Sequence, residues 1–156
     1  MGPYSLLILA GPESMELEVM GAAYACTALG WRTTIVAPSL GGLHGRHGLP
    51  IPGDIALGRL VPDAYTALIV PGGAPRDAEA LALIARFARE ADTRLLATTT
   101  AGLESVRAVP ELASLAAASK DEGIHLDGNR LTAARTGDLP ALCHALDAVA
   151  KDRWPR

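Results

Sequence analysis

SLLILAGPESMELEV, residues 5–19, decides the fold class. Its opening run, Ser5 to Ala10, is short, apolar and unbroken, the pattern of a strand covered on both faces. Gly11 and Pro12 interrupt it. From about Ser14 the residues Met15, Val19, Ala22, Ala23 and Cys26 then recur at helical spacing until Gly30 stops the pattern. A buried strand followed directly by a helix is the first half of a βα unit, and the chain repeats it. Arg32–Ala37, Tyr65–Val70 (YTALIV) and Arg94–Thr99 have strand character. Asp77–Glu90 is an amphipathic helix on Leu81, Ile84 and Phe87, and Asp138–Lys151 is another on Leu139, Leu142, Leu146 and Val149. Ile124–Ala134 makes two short runs around Asp127-Gly128-Asn129, the chemistry of a tight hairpin turn. The Gly- and Pro-rich stretch Gly41–Asp54 is expected to be an irregular loop, and residues 111–122 carry no assignable pattern. The expectation is one α/β domain over residues 1–156: a three-layer sandwich, a mainly parallel sheet with helices on both faces, and a small β-hairpin near the C-terminus.

Composition supports a single folded unit. The chain has 156 residues, 49% of them hydrophobic and 20% charged, far from the composition of disordered segments. A formal net charge of −3 offers no footprint for nucleic acid or an anionic membrane, and no apolar run reaches the ~18 residues of a membrane span. Cys26 and Cys143 lack metal-ligand spacing and fall on apolar helix faces, so both are expected buried and reduced, and a cytoplasmic location follows. The four histidines, His44, His47, His125 and His144, do not group as ligands, so neither a metal nor another cofactor is expected.

In a parallel α/β sheet, ligands bind beyond the carboxyl ends of the strands. Three segments end there: Gly11–Glu16, Pro71–Ala74 and Thr99–Gly102. Glycines at 72 and 73 let backbone N–H groups face a cleft without an intervening side chain. A sharp turn at Thr100-Ala101-Gly102 would present residue 100 beside a helix N-terminus. Glu13, Glu16 and Glu18 crowd the first turn of the first helix, where the helix dipole favours carboxylates; for Glu13 and Glu18 that explanation is sufficient.

The succession ILA-GPESME, LIVPGG, LLATTTAG and DGNRLTAARTG before a last helix resembles the ThiJ/PfpI superfamily, whose fold is related to class I glutamine amidotransferases. The resemblance implies an acidic residue at Glu16, oxyanion donors at the Gly73 and Ala101 amides, and a nucleophile position at Thr100. Gly72, Ala74 and Gly102 are candidate cleft residues, and so is His47, near a position where family members put a cationic or polar residue, although a solvated loop histidine is the favoured reading there. The resemblance also implies a homodimer. This sequence departs from the family pattern in having Thr100 where a cysteine is expected, and no histidine in residues 111–122. An alcohol attacks only with a positioned base, so cysteine-dependent protease, deglycase and amidotransferase chemistry are excluded.

Two readings remain. In one, Glu16 is a general acid/base for lyase, hydratase or isomerase chemistry on a small carbonyl-containing or electrophilic metabolite, with Thr100 within hydrogen-bonding reach, directly or through one water, as a positioning group. In the other, the chain is a catalytically silent family member that binds a small molecule or regulates.

Overall fold

The computed structural model describes residues 4–116 and 123–156. The assignment of residues 117–122, within the stretch that the sequence left open, lies outside the described residues. Nine strands and four α-helices follow in the order β1 (Ser5–Leu9), α1 (Glu16–Ala28), β2 (Arg32–Ala37), β3 (Gly41–His44), β4 (Pro50–Gly53), β5 (Ile55–Ala56), β6 (Ala67–Val70), α2 (Ala78–Arg89), β7 (Leu95–Thr98), α3 (Leu103–Arg107), β8 (Ile124–Asp127), β9 (Arg130–Ala133) and α4 (Leu139–Arg153) among the described residues. Seven strands form one sheet in the order β5-β2-β1-β6-β7-β9-β8, parallel throughout except for the antiparallel β8–β9 hairpin.

The side-chain alternation of the strands builds three layers. Leu6 and Ile8 of β1, Ile69 of β6 and Ala97 of β7 face α1 and α4, where Val19, Cys26, Leu142 and Leu146 close over them. The intervening residues Leu7, Leu9, Leu68, Val70 and Leu96 face the other way, onto Ile84 and Phe87 of α2 and Val106 of α3. Central strands β1, β6 and β7 are therefore apolar at nearly every position, as both-face burial demands. Each fully buried Leu or Ile contributes about 1.5–3 kcal/mol. Helix α2 begins where the Asp77 side chain accepts the Ala80 amide at 3.2 Å, an ordinary N-cap.

One expectation is corrected. Gly41–Asp54 is a second, two-stranded antiparallel sheet, with Gly41 opposite Gly53 and His44 opposite Pro50. Glycine and proline disfavour strands, but this hairpin is an edge structure whose Pro50 and Pro52 need not donate to a central ladder. Contacts from far along the chain hold it. Ile51 is fully buried in the α1-side core, and the turn at residues 45–49 is bonded to α1.

Candidate active site

The loops after β1, β6 and β7 meet at the carboxyl edge of the sheet, and α1 delivers two carboxylates there. Glu16 and Glu18 are two positions apart, about 200° around a helix of 3.6 residues per turn, so they point in nearly opposite directions. Both are buried, at 3% and 1% exposure.

Glu18 points at the loop ends. Its Oε1 accepts the Gly72 amide at 2.8 Å and the Thr99 hydroxyl at 2.6 Å. The same hydroxyl accepts the Gly102 amide at 3.0 Å, so Thr99 bridges the carboxylate and the first turn leading into α3. Oε2 of Glu18 is buried with no hydrogen-bond partner among the described residues. The loops approach so closely that a Cβ on Gly72 would lie 2.7 Å from the Ala101 methyl, and one on Gly102 would lie 2.1 Å from the Val70 carbonyl.

Glu16 points at the β3–β4 turn. Its Oε2 accepts the amides of His47 (2.8 Å) and Leu49 (2.9 Å), and Oε1 lies 3.1 Å from His47 Nδ1, which donates to it. Burial alone would raise this carboxyl. The amides of Leu49 and of Glu16 itself, with the ring and amide of His47, outweigh it and lower the pKa to about 2. Gly45 makes the approach possible, since a Cβ there would fall 2.5 Å from Glu16 Cγ. Buried Ser14 completes the join: its hydroxyl accepts the Gly11 amide at 2.8 Å and its carbonyl accepts the Arg46 amide at 2.9 Å.

Thr100 is half-buried and its hydroxyl donates to the Ala133 carbonyl at 2.8 Å. No direct hydrogen bond joins Glu16 and Thr100 among the described residues, which corrects the direct-contact form of the sequence expectation: Glu16 is turned to His47 and Leu49, and the Thr100 proton goes to Ala133. Backbone strain at the β7–α3 turn is also absent, because no non-glycine among the described residues has a positive φ. Gly73, at φ 72°, does occupy the left-handed region. Its amide and that of Ala101 donate no hydrogen bond within the described residues, while Gly72's amide is taken by Glu18. Ala74 is buried and its carbonyl accepts the Ser105 hydroxyl at 2.7 Å. His47 is exposed apart from its contact with Glu16.

Glu18, Thr99, Ser14 and Arg46 did not stand out as site residues in the sequence. For Glu18 there was a signal: the helix dipole explains an acidic first turn, yet it does not require the second carboxylate to lie on the same side of α1 as Val19 and Ala22. Cys26 and Cys143 are both fully buried in the α1–α4 core, away from these loops, and their contact together with burial pushes the Cys26 thiol up. Among the described residues no group of three or more His, Cys, Asp or Glu side chains could hold a metal ion, and no helix is long and apolar enough to cross a membrane.

Solved structures share this fold. A ThiJ/PfpI domain protein from Brachyspira murdochii superposes with a TM-score of 0.82 at 15% identity, over 97% of this chain and 99% of that one. Toxoplasma gondii DJ-1, oxidised, gives 0.80 at 13% identity, over 96% and 92%. A two-domain protein from Anabaena variabilis, containing DJ-1/ThiJ/PfpI-like and ferritin-like domains, gives 0.80 at 17% identity; 98% of this chain matches, spanning 51% of that longer one. No curated protein sequence matches the chain. The sequence profile of the DJ-1/PfpI family matches residues 4–148, and the chain belongs to that family.

Proposed function

We propose that this chain is a catalytically silent, small-molecule-binding member of the DJ-1/PfpI family. The reading rests on one observation: the Thr100 hydroxyl, at the expected nucleophile position, donates to the Ala133 carbonyl and to no base among the described residues, while the turn from Thr99 to Ala101 is unstrained. The neighbouring Thr99 hydroxyl offers no substitute: a nucleophile needs an exposed atom, and Thr99, which donates to Glu18 and accepts from Gly102, is 1% exposed. In this reading the family's cysteine position is Thr100, whose hydroxyl is spent on Ala133. Glu16, the general base of the alternative reading, has its pKa lowered to about 2 and is too weak a base to assist at neutral pH. What stays open is the space beyond the strand ends, and that space binds.

We place the protein in the cytoplasm, where two free core thiols stay reduced, and infer a homodimer through α1. Leu17 (82% exposed) and Tyr24 (70%) are seven residues apart on one face of that helix, with Ala28 four further on.

The test is turnover. The full chain, the Glu16→Gln variant and buffer alone are each incubated with methylglyoxal, a 2-oxoaldehyde, and with 4-nitrophenyl acetate, an activated ester. Equal consumption in all three supports the silent reading. Consumption by the native chain that Glu16→Gln abolishes would overturn it in favour of acid/base catalysis.

A further inference from the structure

The β1 and β6 strands are neighbours, but the chain leaves β1 for α1 on one face of the sheet and leaves β6 for α2 on the other. Their loops diverge, and a parallel sheet opens a ligand crevice at such a reversal. The crevice is a cavity of about 420 Å3. That is the size of small-molecule sites, which run from about 300 to 1,000 Å3. Neither Glu18 nor Thr99 lines it.

Four charged side chains do. Arg76 and Glu104 neutralise each other across 2.9 Å. Glu13 and Arg46 do not: among the described residues neither has a charged partner, although both border the same space. Gly73 lies between the Glu13 backbone and the Arg46 guanidinium. A Cβ at residue 73 would meet the Glu13 carbonyl at 1.8 Å and Arg46 Nη2 at 3.0 Å, so the Glu13 backbone and the Arg46 guanidinium close around a residue with no side chain. Pro12, Ala74 and Pro75 add apolar surface to the same lining.

We propose that this cavity binds a small zwitterion, an α-amino acid with a compact apolar side chain. Its carboxylate lies against the Arg46 guanidinium, whose planar fork suits two carboxylate oxygens, and its ammonium lies against Glu13. A simple anion would meet Glu13, and a simple cation would meet Arg46; a ligand bearing both charges satisfies both walls. The proposal deepens the binding reading above and rests on it.

Glu16 has a part here without touching the cavity. By accepting the His47 and Leu49 amides, while the Ser14 carbonyl accepts that of Arg46, the α1 end fixes the β3–β4 turn that carries Arg46 over the crevice. Glu16 is a positioning residue for Arg46.

Isothermal titration of the full chain tests this with three matched probes: L-valine, isovalerate (valine without the amino group) and isobutylamine (valine without the carboxylate). Valine should bind, and each single-charge analogue should bind at least about tenfold more weakly, as expected when a charge-assisted hydrogen bond is lost. Arg46→Gln and Glu13→Gln should each weaken valine about tenfold or more while melting like the native chain. Glu16→Gln should weaken valine in the native background and add nothing on top of Arg46→Gln, the non-additivity of a residue that acts through another. No detectable valine binding, equal binding of valine and isovalerate, or an affinity indifferent to Glu13→Gln would each overturn the proposal. Failure here with an inert chain in the turnover assay removes the zwitterion site alone. Valine binding by a chain that does turn over methylglyoxal removes the silent reading and keeps the site.

Discussion

The Thr99 hydroxyl lies 2.6 Å from Glu18 Oε1 and accepts the Gly102 amide at 3.0 Å, joining α1, the β7–α3 turn and, through the Gly72 amide, the β6 loop. All three groups are buried, so the network acts as a clamp on the loops at the sheet edge. A half-satisfied buried network is worse than none, and one Glu18 oxygen already has no partner among the described residues.

Thr99→Val should accordingly destabilise the chain by about 1–3 kcal/mol, the cost of stripping a partner from a buried polar group. Thr99→Ser, which keeps the hydroxyl, should recover most of it. Urea unfolding of the three proteins measures the difference, and equal midpoints would dissolve the clamp.

Glu16 predicts a pH dependence. Its folded pKa, about 2, is below the ordinary 4.5, so its contribution to stability is complete above about pH 4.5 and is lost as pH falls from there toward 2. The melting temperature of the native chain should fall through that window more steeply than that of Glu16→Gln, which has no proton to gain. Parallel curves would show that the carboxylate does not hold the β3–β4 turn.

Gly73→Ala should be among the most damaging single-methyl additions. The new Cβ would press into the Glu13 carbonyl from a left-handed backbone, combining roughly 1–2 kcal/mol of backbone cost with 1–3 kcal/mol of overpacking. Gly58→Ala, with nothing within 4 Å, is the control and should change stability by less than about 0.5 kcal/mol. Thermal melts compare the two.

Neither cysteine should react with iodoacetamide in the native protein, because Cys26 and Cys143 are fully buried. Two adducts should appear by mass spectrometry after unfolding in guanidinium, and one or two adducts under native conditions would place a thiol at the surface.

The native chain should sediment at about twice 16.2 kDa, whereas Leu17→Glu, which sets a charge on the exposed apolar face of α1, should sediment as a monomer. A native monomer at micromolar concentration would refute the dimer.

The sequence determined the layers by itself. Unbroken runs such as SLLILA and the apolar spacing of α2 are local patterns with one low-energy burial, and they place β1, β6, β7 and the helices without knowledge of the rest of the chain. The β8–β9 hairpin was legible for the same reason: its turn chemistry lies in adjacent residues. Only the tertiary structure decided what Gly41–Gly53 would be, since its strands gain stability from Ile51 in a core formed by other elements and from Glu16 of α1, not from their own propensities. It also decided which carboxylate faces the strand ends. Glu16 and Glu18 share a helix turn and a dipole, and their separate fates follow from the rotation of α1 against the sheet, a quantity fixed by Val19, Ala22 and Cys26 packing on Leu6 and Ile8 and written in no two-residue spacing.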